Sequence, residues 1–234
     1  MPNETSGCDK KAPMKTLLSA PEKRFILWLA PKFPAWITSW QLTMMTVLWA
    51  LGVIGFGMLA GKTGNLHWLW GSSLMVFLQW FTDCFDGAIG RHRNEGLVKW
   101  GFYMDHFLDF VFMCSVFIGW SFLFDGINEK LMWFLSLGMG CLMVNAFLAF
   151  GATNQFKITY LATGPTEMRL YFMLINAAIT IFGIGWLDSS LLYIFIAFWL
   201  GICVVIYRTQ KRIYALDMEI KRHQGEEDFF ERQT

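Results

Sequence analysis

The sequence predicts an all-α integral membrane protein with six transmembrane helices and an amino-terminal amphipathic helix in the membrane interface. Three observations predict it. Charged residues make up only 16% of the 234 positions, where soluble domains carry about 25%. Mean hydropathy is +0.41. Apolar runs near twenty residues recur along the chain, and each can cross about 30 Å of hydrocarbon at about 1.5 Å per residue.

The elements follow in order. Residues 1–13 are polar, contain Pro2, Gly7 and Pro13, and are expected to form a disordered tail. Residues 14–36 mix Lys15, Lys23 and Arg24 with Leu17, Leu18, Phe25, Ile26, Trp28 and Leu29, the pattern of an amphipathic interfacial segment. Its apolar core is too short for a secretory signal, and Pro31 and Pro34 end it. A membrane domain over 37–209 then carries spans at roughly 42–60, 66–86, 101–124, 131–150, 167–187 and 190–207. Gly52, Gly55 and Gly57 in the first span, with Gly138 and Gly140 in the fourth, allow close helix contact. Thr163-Gly164-Pro165-Thr166-Glu167 reads as a helix start. Residues 210–234 form a charged tail. The 12 tryptophans and 6 tyrosines gather near span ends, where an aromatic belt accounts for them.

Loop charge sets the orientation. Of the 19 Lys and Arg residues, only Lys62 and Lys130 fall on one side. The positive-inside rule therefore puts both termini on the cytoplasmic side. The net charge of +1 gives no global field for nucleic acid. The five cysteines have neither disulfide nor zinc spacing, and Cys84 reads as a small packing residue.

The most informative stretch joins spans two and three. Asp83 closes one apolar run and Asp109 opens onto another, with Asp86 and Asp105 between them. Carboxylates at bilayer depth are costly and functional by default. Asp83 and Asp86 are three apart, Asp105 and Asp109 four apart, so each pair shares a helix face. If the two helices are neighbours, four carboxylates converge and require a counter-charge, for which divalent cations are the obvious candidates. Gly87, Gly90 and Gly101 leave backbone open beside them, and Arg91 adds a planar cation suited to phosphate. This set describes a site for a metal-bound phosphate ester. Its competitors are paired surface aspartates at helix ends and the ion site of a cation transporter. Against the transporter, the carboxylates lie near one membrane face and no second acidic cluster continues a path across.

The spacing Asp-x2-Asp-Gly-x2-Ala-Arg, eight or nine residues, Gly-x3-Asp-x3-Asp resembles the signature of the CDP-alcohol phosphotransferases, integral membrane enzymes of phospholipid synthesis. The chain matches it at Asp83, Asp86, Gly87, Arg91, Gly101, Asp105 and Asp109, and departs at Gly90, where the family usually has alanine. The stretch Ile37 to Thr43 resembles a degraded form of a Thr-Pro-Asn-x-Leu-Thr signature found in related enzymes.

The resemblance implies transfer of a substituted phosphate from a CDP-alcohol donor to a hydroxyl acceptor, one of the two being a lipid, with release of CMP. It implies two metal ions held by Asp83, Asp86 and Asp105, with Asp109 sharing the second and acting as general base. Oxygen ligands and phosphate partners favour Mg2+, with Mn2+ as a substitute. It also implies a homodimer, with substrate contacts at Gly87, Gly90, Arg91 and Gly101, and the positive-inside rule puts the aspartate site on the cytoplasmic side with the termini. Lys157 and Arg169 flank the 151–166 connection on the same side, where they hold an acceptor phosphate or lipid head group or serve as ordinary positive-inside anchors. His106 after Asp105, and the Thr166-Glu167 pair, resemble the choline and ethanolamine phosphotransferase branch. There Glu167 would contact a cationic head group or orient His106, and His106 would share proton removal with Asp109. The alternative branch uses CDP-diacylglycerol and a polar alcohol or alcohol phosphate.

Overall fold

The computed structural model describes residues 19–154 and 164–231. The expected tail 1–13 and Lys157 lie outside them. The described residues form helices α1 (Ser19–Leu29), α2 (Ser39–Thr63), α3 (Trp68–Arg93), α4 (Val98–Ser121), α5 (Gly126–Thr153), α6 (Pro165–Phe182) and α7 (Gly185–Glu231), with a 3₁₀ turn at Ala30–Lys32. No strand occurs among them.

Local chemistry sets the helix ends. At the start of α2 the Thr38 backbone N–H donates to Gln41 Oε1 at 2.9 Å, satisfying a donor that lacks an intrahelical partner. That helix stops at Gly64, whose φ of +66° is left-handed and favours glycine. Pro165 opens α6, where its missing N–H costs nothing, and Glu167 Oε2 accepts from the Gly164 N–H at 3.0 Å. Gly183, with φ +76°, separates α6 from α7. The fifth span was expected to reach residue 187, because Gly183 interrupts an otherwise apolar run without changing its hydropathy. Helix α7 continues through the charged tail to Glu231, since Arg, Lys and Glu are good helix formers.

Among the described residues, four helices are long and apolar enough to cross a membrane: α2, α4, α5 and α7 over Gly185–Arg222. The six expected spans include α3 and α6 as well, which are less apolar because of what they carry. Gln79, Thr82 and Asp86 on α3, and Glu167, Arg169 and Asn176 on α6, are all buried. Their polar side chains face the protein interior.

Helix α2 packs along both α3 and α4, α3 also packs on α6, α4 on α5, and α5 on α7. Gly57 lies so close to Gly119 that a Cβ there would run into the Gly119 backbone, as a close α2–α4 crossing requires. The main core holds Val53, Leu69, Val76, Phe112, Val116, Ile179 and Leu191. Within it Trp120 Nε1 donates to Asn176 Oδ1 at 2.7 Å, and Asn176 Nδ2 donates to Ser73 Oγ at 3.2 Å. This chain ties α4, α6 and α3 at full burial of Asn176. A second cluster of Ala30, Leu42, Phe85 and Ile89 seats α1 and the start of α2 on α3. Arg93 fixes the segment between them, donating to the carbonyls of Phe33 and Pro34 at 2.9 Å each and to that of Ile37.

Candidate active site

Asn94 and Gly96, at φ 53° and 74°, reverse the chain between α3 and α4. That reversal lets Asp83 of α3 come within reach of Asp105 and Asp109 of α4. Both helices pack principally on α2, and their carboxylates meet across the space between them. One oxygen each from Asp83, Asp105 and Asp109 lies within 4.8 Å of the others. Three like charges at that separation repel strongly and demand a compensating cation.

Part of that charge comes from α6. Arg169 extends one guanidinium nitrogen to Asp83 Oδ2 at 3.0 Å and the other to Asp109 Oδ1 at 2.7 Å. Its side chain is only 4% exposed. The rigid fork of arginine suits two carboxylates on two helices in a way lysine does not. Gln79, one turn before Asp83 on α3, also donates to Asp109 Oδ1, at 3.1 Å. One positive charge against three carboxylates leaves room for more.

Asp86 stands outside the group of three. Its Oδ2 accepts from Thr43 Oγ1 of α2 at 2.7 Å, and its Oδ1 faces the Gly87 N–H. His106 is buried; its Nδ1 lies 2.8 Å from the Phe102 carbonyl and 3.4 Å from Asp105 Oδ2, with the ring against Phe102 and Phe147. Glu167 is buried at the start of α6, where it takes the Gly164 N–H. Its neighbour Thr166 donates to Glu22 Oε2, and Cys84 Sγ donates to Glu22 Oε1, each at 3.0 Å. Helix α1 is thus tied to both α3 and α6 next to the aspartates.

The glycines differ in what they provide. A Cβ on Gly87 would stand 3.2 Å from a guanidinium nitrogen of Arg91, so that exposed arginine lies directly over the glycine. A Cβ on Gly90 would press on Ser39 Oγ at 3.1 Å, which makes Gly90 the point where α3 meets the start of α2. Among the described residues, nothing stands within 4 Å of a Cβ on Gly101. That position opens onto free space one turn before Asp105.

The family model for CDP-alcohol phosphatidyltransferase matches residues 32–209. The chain belongs to that family. No curated protein matches the chain with significance. Membership makes it a membrane transferase that moves a substituted phosphate group from a CDP-alcohol in phospholipid synthesis. CDP-alcohol phosphatidyltransferases are typically dependent on a divalent metal, and the residues here fit one. The donor atoms of Asp83, Asp105 and Asp109 are all hard carboxylate oxygens within one small volume, the set that Mg2+, Mn2+ and Ca2+ prefer. Neither Gln79 nor Thr43 is among the candidate residues that the sequence singles out. Gln79 had a signal, since it shares a helical face with Asp83 and Asp86 at spacings of four and three. Thr43 had none.

Proposed function

We propose that the chain transfers a phospho-amino-alcohol from its CDP ester to the hydroxyl of diacylglycerol, releasing CMP. The observation that supports this over an alcohol phosphate acceptor is the engagement of Arg169. A phosphorylated or otherwise anionic acceptor needs a free cation, and Arg169 is buried and bound to Asp83 and Asp109. A neutral lipid hydroxyl needs only a base and an apolar approach.

In this reading Asp83, Asp86 and Asp105, with Asp109 shared, hold two divalent cations, Mg2+ or in its place Mn2+. When bound, the metal polarises phosphoryl oxygens and offsets the charge on the departing CMP. Arg91, exposed above Gly87, pairs with the diphosphate of the donor. Gly87 and Gly101 leave the backbone accessible to it, and Gly90 keeps α3 seated on α2. Asp109 Oδ1 is already held by Arg169 and Gln79, so Oδ2 takes the proton of the acceptor hydroxyl. The acceptor oxygen forms a new bond to the phosphorus bearing the alcohol. The bond from that phosphorus to the bridging oxygen breaks, and CMP leaves with the electron pair. His106 steadies Asp105, and Glu167 fixes the start of the helix that carries Arg169.

The same reading has α3 and α6 crossing the bilayer with their polar residues turned inward, giving six spans. Helix α1 lies in the interface, and the aspartates face the cytoplasm, where CDP-linked donors are available. The distribution of Lys and Arg supports that orientation.

The deciding experiment supplies purified protein with CDP-ethanolamine and diacylglycerol, or with CDP-diacylglycerol and polar alcohols, and measures CMP. Turnover with the first pair is expected. Turnover only with the second overturns the amino-alcohol assignment.

A further inference from the structure

We propose that Gln79 is a positioning residue for the transfer reaction, orienting Asp109 so that one defined carboxylate oxygen meets the acceptor hydroxyl. The inference rests on the reading of Asp109 as proton acceptor. Gln79 is completely buried, and an amide is expensive to bury unless it is hydrogen-bonded. Its neighbour one turn earlier, Val76, is equally buried, and an apolar residue at position 79 would continue that packing. The amide instead spends its Nε2 on Asp109 Oδ1 at 3.1 Å.

The same oxygen accepts from Arg169 at 2.7 Å. Two donors on two helices, α3 and α6, therefore converge on one oxygen of a residue on α4. A carboxylate held at one oxygen from two directions cannot turn about its last torsion without losing at least one bond. Arg169 alone does not achieve this, because its guanidinium also answers to Asp83 and follows that residue if a ligand draws it away. Gln79 has no such second commitment through Nε2. Asp109 Oδ2 is thereby kept pointing one way whether or not the donor is bound.

The other end of the amide supports a functional role. Gln79 Oε1 is buried and has no hydrogen-bond partner among the described residues. A buried acceptor without a donor calls for an explanation, and this one sits on the same amide that touches Asp109.

The test is steady-state CMP release by the full chain in lipid nanodiscs, using whichever of the two donor and acceptor pairs the wild type turns over. Gln79→Met removes the amide at similar length. Gln79→Glu keeps the shape and replaces the donor with an acceptor. Both are expected to lower kcat about 10- to 100-fold while leaving KM for the CDP donor within about twofold. In an Asp109→Asn background, Gln79→Met should add no further loss. Where Gln79→Met fails to fold, Gln79→Glu decides. Wild-type kcat in the Gln79 variants, with Asp109→Asn inactive, overturns the positioning role alone. A loss confined to KM or to the amount of folded protein also overturns it. Near wild-type turnover in Asp109→Asn instead removes the reading of Asp109 on which the proposal stands.

Discussion

Arg169 on α6 and Asp109 on α4 form an ion pair of 2.7 Å whose cation is almost wholly buried. The same guanidinium holds Asp83 on α3, so one side chain joins the three helices that bear the candidate site. Removing one member of such a network costs more than the network contributes as a whole, because buried charge is left without compensation.

Arg169→Met is therefore expected to destabilise the protein by about 3–5 kcal/mol and to abolish CMP release. Arg169→Lys keeps the charge but not the fork, and should retain stability better than activity. Thermal unfolding in detergent measures the first effect. Added Mg2+ should raise the midpoint of Arg169→Met more than that of the wild type, since a cation replaces the lost charge. An unchanged midpoint in Arg169→Met would mean that the ion pairs do not hold the helices.

Gly101→Leu should block the donor without disturbing the fold, because a side chain at that position meets none of the described residues. Gly87→Leu should act differently, displacing Arg91 from its place over the glycine. Each is expected to weaken CDP affinity in Mg2+ by about tenfold or more, near 1.4 kcal/mol. Unchanged CDP binding in both variants would put the nucleotide elsewhere.

The aspartates were legible in the sequence because charge stands out against apolar runs and because spacings of three and four share a helix face. Arg169 was legible as a cation on the right side, but not as the partner of Asp83 and Asp109. That pairing depends on how α6 packs, which local pattern does not encode. Gln79 carries no charge and sits inside an apolar run, so only its spacing from Asp83 marked it. The membrane spans show the reverse effect. Helices α3 and α6, expected as spans, fall short of the apolarity of α2, α4, α5 and α7 because they carry polar groups that turn inward, and hydropathy averages over both faces. Helix α7 outran its expected span because charge ends an apolar run without ending a helix.

Asn176 separates stability from catalysis. Asn176→Leu strips partners from Trp120 Nε1 and Ser73 Oγ, at a cost of about 1–3 kcal/mol for buried groups left unsatisfied. Unfolding temperature should fall while kcat per folded molecule stays at the wild-type value. A loss of kcat without a loss of stability would make this chain part of the reaction.

The most direct test of the aspartate site combines Mn2+ binding, followed by electron paramagnetic resonance, with CMP release in Asp83→Asn, Asp86→Asn, Asp105→Asn and Asp109→Asn. The wild type should bind Mn2+ and release CMP only when a divalent cation is present. Asp83→Asn and Asp105→Asn should lose Mn2+ affinity and at least about 100-fold in CMP release, with the unfolding temperature maintained. Asp109→Asn should lose CMP release most completely. Wild-type CMP release after chelation of all divalent cations, or in any two of the four variants, would contradict metal-dependent transfer at this cluster.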